Sequence, residues 1–336
     1  MIYHRPIPML DAARPPGAVP LAGGWCWFDR VEVLERGQPS ALIAAADLPA
    51  EVRQRLSAPR PALCGLPLDR PRLMGILNVT PDSFSDGGRF LDAAAALAQG
   101  RAMAGAADLL DIGGESTRPG AADVAVPDEI ARTAPVIAAL RDGGLGLPIS
   151  VDTRKAAVAE AALAAGADMV NDVSALQYDA AMAPLAARSG VPICLMHAQG
   201  TPATMQHDPR YDDVLLDVYD ALAALVARAE ASGIARDAMV IDPGIGFGKT
   251  AAHNLALIRG LSLFHGLGLP LLVGASRKRF IGTIGGADQA DRRMPGSIAV
   301  ALACVAQGAQ ILRIHDVQDT RQALALWQAA TLGDDR

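Results

Sequence analysis

The sequence predicts an α/β protein, a closed (β/α)8 TIM barrel carrying an N-terminal extension of residues 1–71. Three observations lead there. From residue 72 onward, short apolar runs alternate with Ala/Leu-rich stretches of helical period: LMGILNV, DLLDIG, PISVD, DMVNDV, PICLMH, MVIDP, PLLVGAS and ILRIHDV. These runs lack the polar–apolar alternation of half-exposed strands, so they suit parallel strands covered on both faces. A weak repeat also recurs where helix meets strand: AGAADLLDI at 104–112, AGADMVNDV at 165–173 and QGAQILRIHDV at 307–317. Glycine there stops the helix before the next run enters the sheet. Eight such units between residues 72 and 336 match a barrel of roughly 250 residues. An open doubly wound sheet would want a glycine-rich nucleotide turn after its first strand. The stretch NVTPDSFSDGG after LMGIL has the wrong glycine spacing.

Taken in order, residues 1–71 are crowded with proline (6, 8, 15, 16, 20, 59, 61, 67 and 71). A strand is expected in WCWFDRVEVLE (25–35) and a short helix in ALIAAADLPAEVRQRL (41–56). Trp25, Trp27 and Phe28 supply apolar area for docking, and the segment is expected to cover the bottom of the barrel or to contact a second subunit, away from the chemistry. In a barrel of this kind the site lies at the C-terminal strand ends. Strand one ends in Asn78, strand two in Asp111 and the loop GGESTRPGA, and strand three in Asp152. Strand four ends in Asn171 and Asp172, strand five in Met196 and His197, and strand six in Asp242 with PGIGFGKT. Strand seven delivers Ser276, Arg277 and Lys278; strand eight delivers Arg313, His315 and Asp316. Unpaired polar groups are costly to bury, so a polar residue at every strand end marks a site.

Composition narrows the class of function. With 51% apolar residues the 336-residue chain folds around a full core, and its formal net charge of -6 argues against a general nucleic-acid binder. The four cysteines form no CxxC, no apolar run approaches the ~20 residues of a membrane span, and the N-terminus lacks a signal-like apolar stretch. A cytoplasmic protein with no membrane partner is expected.

The only lysines, Lys155, Lys249 and Lys278, all follow predicted strand ends. PGIGFGKT falls one residue short of a phosphate-binding loop because Pro243 stands where the first glycine is needed, so a nucleotide reading is rejected. Asp152, Asn171 and Asp242 can meet a planar, donor-rich heterocycle. The N3–H and 2-amino group of a pterin present such an edge to a carboxylate. A lone strand-end Asp more often caps the following helix; three on strands three, four and six favour a ligand. Arg118, Arg313 and His315 form the cationic counterpart, suited to phosphate. His197 taken alone reads as a core histidine. No His/Cys/carboxylate cluster has zinc-ligand spacing.

Together GILNVTPDSFSDGG (75–88), DIGGESTRPGA (111–121), VDTRK (151–155), NDV (171–173), LMH (195–197), DPGIGFGK (242–249), GASRK (274–278) and RIHDV (313–317) resemble dihydropteroate synthase, in order, one motif per strand. The resemblance runs from about residue 72 to 325. It implies an enzyme of folate synthesis, a transferase joining 6-hydroxymethyl-7,8-dihydropterin diphosphate to 4-aminobenzoate. It implies that Asp152, Asn171, Asp242 and Lys278 bind the pterin, with Met196 and Phe247 as apolar walls. Thr117, Arg118, Arg313 and His315 would hold the diphosphate, Asn78 would ligate Mg2+, and Phe84, Pro119, Ser276 and Lys278 would line the aminobenzoate site. Lys278, Arg118 and Asp242 are the expected catalytic residues, and a homodimer is expected through late barrel helices. Two other readings share the scaffold: a methyltransferase acting on methyltetrahydrofolate, which has no need of STRPG, SRK and RIHD, and a non-catalytic pterin-binding paralogue, which would have lost a loop residue. Ala198 after LMH and Pro295 before Gly-Ser depart from the family pattern without touching a motif residue.

Overall fold

A computed structural model describes residues 1–79, 88–116, 123–200 and 204–333, with the backbone alone for 88–93. The extension comes first. Strands β1 (Ile2–Pro6), β2 (Val19–Pro20), β3 (Trp27–Phe28), β4 (Arg30–Glu35) and β5 (Ala41–Ala44) precede helix α1 (Ala50–Ser57). β1, β4 and β5 form an antiparallel sheet in that order, and β2 pairs with β3. The expected helix over 41–56 is corrected in its first half. Ala41–Ala44 pairs with β4, and the α-helix starts only after Pro49, because a sheet partner overrides the helical propensity of an Ala/Leu run. Leu21, Phe28, Val31, Leu48 and Leu56 give this segment its own small core.

The barrel follows: β6 (Arg72–Asn78), α2 (Gly88–Met103), β7 (Leu109–Gly113), α3 (Val126–Asp142), β8 (Ile149–Asp152), α4 (Ala156–Ala164), β9 (Met169–Asp172), α5 (Met182–Ser189), β10 (Ile193–Met196), α6 (Val214–Ala231), β11 (Met239–Asp242), α7 (Ala251–Arg259), β12 (Leu272–Val273), α8 (Arg279–Gly285), α9 (Met294–Val305), β13 (Ile311–Ile314) and α10 (Val317–Leu332). Eight parallel strands run β11-β10-β9-β8-β7-β6-β13-β12, and a parallel bridge from Ile241 to Leu271 closes the ring. The weak repeat has a physical cause. Asp108 Oδ2 accepts the Leu73 N–H (2.7 Å), Asp168 Oδ2 the Ile149 N–H (2.8 Å) and Gln310 Oε1 the Leu271 N–H (2.9 Å). In each repeat the polar residue after the glycine clips the start of the preceding strand, which would otherwise leave a buried donor unpaired.

Side chains alternate along each strand, which sorts the core into two shells. Leu73, Leu110, Val170, Leu195, Ile241 and Leu312 face the helices. Met74, Leu109, Met169, Cys194, Val240, Leu272 and Ile311 face inward near the strand starts and pack with Leu63 and Leu68 of the extension. Residues 63–68 therefore plug the bottom of the barrel. The rest of the extension lies along its flank. Tyr3 Oη donates to Asp220 of α6 (2.8 Å), Ser262 Oγ to the Pro6 carbonyl (2.7 Å) and Trp25 Nε1 to the Val305 carbonyl at the end of α9 (2.9 Å). Among the described residues, no helix is long and apolar enough to cross a membrane.

Candidate active site

Two residues further along the same strands, the inward positions become polar. Above Leu109, Met169, Val240 and Ile311 stand Asp111, Asn171, Asp242 and Arg313, and Asp152 joins them from β8. Arg313 Nε donates to Asp111 Oδ2 (2.5 Å) and Nη2 to Asp152 Oδ2 (2.6 Å); Asn171 Nδ2 donates to Asp111 Oδ2 (3.1 Å). Both carboxylates are buried, and the Oδ1 atom of each has no hydrogen-bond partner among the described residues. Burial pushes the Asp152 carboxyl above the usual carboxylate range; the Arg313 charge opposes this and the Asp111 charge adds to it. Asp242 Oδ1 accepts the Gly244 N–H (2.7 Å), yet burial still pushes its pKa up to about 6, against that bond and the pull of Lys278, Lys249 and Arg313.

These groups underlie a cavity of about 850 Å3 at the strand ends, within the size range of small-ligand sites. Its walls include Asn78, Asp152, Phe247, Ser276, Lys278, Arg313 and His315. Lys278 Nζ sits 3.9 Å from the Phe247 ring centroid, a cation–π contact that places an ammonium and an aromatic face side by side. Ser276 Oγ lies 3.0 Å from His315 Nδ1 and accepts the His315 N–H. Asn171, Met196 and Asp242 belong to the strand layer under these walls; Met196 is buried at the end of β10, level with Asp242. The Asp242 carboxylate comes within 3.9 Å of where a Cβ on cavity-lining Gly274 would stand.

The structure brings Asn78, Asp152, Phe247, Ser276, Lys278, Arg313 and His315 to one cavity and stacks Asn171, Met196 and Asp242 against it. Phe84, Thr117, Arg118 and Pro119 lie outside the described residues. Asp172, beside Asn171 in sequence, turns the other way. It accepts Ser174 and Leu176 N–H groups, the structural cap that a strand-end aspartate usually provides. Lys155 is tied up as well, donating to Glu129 Oε2 (2.6 Å), Glu115 Oε1 (3.1 Å) and the Val124 carbonyl (2.7 Å). Glu115 also accepts the Val124 N–H (2.9 Å), which clips together the two stems of the segment carrying Thr117 and Arg118. Asp111, at a strand end in the sequence but outside the expected ligand set, belongs to this layer as the partner of Arg313 and Asn171. Its signal was the two-residue step from Leu109, which points it inward. Met205 and Gln206, from the segment after β10, also line the cavity, and no sequence motif marked them.

The cavity also carries hard oxygen atoms of the kind Mg2+ prefers. Asn78 Oδ1 lies 3.8 Å from the point where a Cβ on Gly113 would stand, so the glycine leaves that oxygen uncovered; Asp152 Oδ2, 3.7 Å from the same point, is already held by Arg313. No group of three or more His, Cys, Asp or Glu side chains among the described residues could hold a metal by itself. A Mg2+ ion would need only one or two protein oxygens, with waters and substrate phosphates completing its shell.

A sequence family described as pterin binding enzyme matches residues 74–315. The dihydropteroate synthase of Neisseria meningitidis serogroup B is 50% identical over 268 residues, covering 78% of this chain and 93% of that protein. A solved Xanthomonas albilineans dihydropteroate synthase with 4-aminobenzoic acid superposes with a TM-score of 0.76 at 48% identity, covering 81% of this chain and 98% of that one. The same enzyme in complex with 7,8-dihydropteroate gives a TM-score of 0.73 at 45% identity over 81% of this chain and 98% of that one.

Proposed function

The chain belongs to the pterin binding enzyme family, among the dihydropteroate synthases, and from that membership we propose how its cavity divides the work. The enzyme is a transferase of folate synthesis. It joins 6-hydroxymethyl-7,8-dihydropterin diphosphate to 4-aminobenzoate, forming 7,8-dihydropteroate and releasing diphosphate.

The observation that carries the residue assignment is Asp152, buried, with one carboxylate oxygen held by Arg313 and the other without a partner among the described residues. A pterin's N3–H and 2-amino group can donate to such an oxygen. Asn171 and Asp242 extend the polar floor, and Met196 and Phe247 supply apolar surface. Asp152 and Asp242 also favour positive charge on the dihydropterin ring as the CH2–O bond breaks, an electrostatic stabilisation placed where charge develops. The bonding pair leaves with the diphosphate, met by His315 and Arg313, with Thr117 and Arg118 added from the family pattern, while Lys278, over the Phe247 ring, serves the pterin and the aminobenzoate side. The aminobenzoate nitrogen then forms the new bond to carbon and loses a proton; Ser276, with Phe84 and Pro119, lines its side. Mg2+ would be held by Asn78 with diphosphate oxygens, and when bound would add positive charge beside the leaving group.

Arg313 differs from a free phosphate anchor. Its guanidinium already bridges Asp111 and Asp152, so it orients the pterin acceptor as well as facing the leaving group. We place the enzyme in the cytoplasm, consistent with four unpaired cysteines, and as a homodimer. Exposed Leu326 on α10 and Ile284 on α8 give the late helices apolar surface for a second copy, which size-exclusion chromatography with light scattering would detect. The test of the function is diphosphate release by purified protein. Release that requires 4-aminobenzoate is expected; release independent of it, or none, would overturn the reading.

A further inference from the structure

Lys249 closes the motif that fails as a nucleotide loop, and the proposed division of work gives it no part. It is 3% exposed and lies at the base of the cavity. Its ammonium has three protons and three acceptors: His197 Nδ1 at 2.9 Å, the Phe247 carbonyl at 3.0 Å and the His197 carbonyl at 3.4 Å. The two elements it joins come from different strands. His197 follows β10 and its N–H donates to the Asp242 carbonyl (2.9 Å). Phe247 sits in the glycine loop after β11 and stacks under Lys278. The loop runs hard against His197: Gly244 has a φ of +68°, and a Cβ there would stand 1.8 Å from the His197 carbonyl oxygen. Outer ties hold neighbouring loop carbonyls, Gln206 Nε2 on Gly246 (2.7 Å) and Tyr211 Oη on Gly248 (2.8 Å). Lys249 holds the carbonyl of Phe247 itself, from inside.

We propose that Lys249 is a positioning residue for the pterin half of the reaction, an internal tie that sets the Phe247 ring and the Gly244 turn on Asp242 by anchoring both to His197. The proposal rests on the synthase reading and deepens it. The proton balance of the site agrees with the geometry. Burial pushes His197 down to about 3, which keeps the ring neutral and able to accept at Nδ1 in the tautomer protonated at Nε2, and burial pushes Lys249 down to about 7 against the attraction of Asp242. An ammonium kept in so dry a place holds its charge only while its acceptors and Asp242 stay arranged around it.

The experiment uses the full chain with two substitutions. Lys249→Met keeps the apolar stem and removes the donors; His197→Phe keeps a ring and the backbone carbonyl but removes both ring nitrogens, the Nδ1 acceptor among them. Each substrate is varied in turn, and binding of 6-hydroxymethylpterin, which lacks the diphosphate, is measured by calorimetry. Loss of a charge-assisted bond predicts a rise on the order of tenfold in Kd for hydroxymethylpterin and in KM for the dihydropterin diphosphate. The KM for 4-aminobenzoate should stay within twofold, and the double variant should be no weaker than the weaker single one by more than about threefold, since both cut one tie. Parental affinity for hydroxymethylpterin in Lys249→Met, equal losses for both substrates, or additive losses would overturn the proposal. Should Lys249→Met fail to fold, His197→Phe decides by the same Kd. A parent enzyme without aminobenzoate-dependent turnover would count against the synthase reading, and the hydroxymethylpterin Kd would still judge the tie.

Discussion

The two ends of the barrel are built from the same strands, two residues apart, and obey opposite rules. At the bottom, Leu109, Met169, Val240 and Ile311 meet Leu63 and Leu68 in an apolar layer that excludes water. One inward step along each strand, about 6.6 Å, Asp111, Asn171, Asp242 and Arg313 form a charged layer that includes a buried oxygen, Asp111 Oδ1, without a partner among the described residues. The lower layer stabilises the fold. The upper layer costs stability, because carboxylates are desolvated there, and that cost is tolerated where a ligand supplies the missing donors. The difference assigns the extension to the stable end: its plug residues touch the lower layer and its described contacts avoid the cavity walls.

Substitutions at each end should separate the two roles, and the largest effect is expected from Arg313→Ala. It strands Asp111 and Asp152 in the upper layer, so about 3–5 kcal/mol of stability should be lost together with activity. Thermal melts and the diphosphate assay should fall together; a stable but inactive variant would mean the aspartates are compensated elsewhere. Leu68→Ala cuts the lower layer and should cost about 2–5 kcal/mol in a denaturant melt, while both KM values stay within twofold. A changed KM would break the separation of the two ends. Lys278→Ala should do the reverse. Loss of a charged contact at about 1.5–3 kcal/mol lowers kcat/KM more than tenfold with the melt little changed.

The upper layer should also show itself in pH dependence. Burial holds Asp242 up at about 6, so it is a carboxylate above that pH and a neutral acid below it. If the pterin donates to the carboxylate, protonation of Asp242 lowers affinity for hydroxymethylpterin as pH drops through about 6, by at least roughly tenfold at pH 5, and affinity is full only where Asp152 is ionised as well. Burial raises Asp152 in the same direction. A limb at pH 4 instead would show both aspartates solvated. The smallest effect belongs to the flank. Arg36 pairs with Asp217 and Asp220 of α6 at 2.7 Å, but these groups are partly exposed. Arg36→Ala should therefore cost less than about 1 kcal/mol and leave activity unchanged; a measurable KM shift would place the extension in contact with the site.

Much of this was legible because period two and a polar strand end are local patterns. Asp152, Asn171, Asp242, Arg313 and His315 could be named from the runs that carry them. Asp111 escaped the ligand set because its role is to hold Arg313 and Asn171, which lie 202 and 60 residues away in the chain. Lys155 and Lys249 looked alike in sequence, each just past a strand end. One meets Glu129 and Glu115 and holds a loop stem; the other meets His197 under the cavity. No local rule distinguishes them, since the partners come from other elements.

The sequence by itself determined the barrel, the order of its units and the end where the chemistry sits, because hydrophobic periodicity, helix-stopping glycines and the placement of polar residues act over a few neighbours. Tertiary structure alone decided that Ala41–Ala44 is a strand, that Leu63 and Leu68 close the bottom, and that Arg313 is shared between two aspartates. Those outcomes depend on which surfaces meet when the ring closes. Burial then sets the strength of each charge pair and hydrogen bond, and burial belongs to the assembled barrel rather than to any segment of the chain.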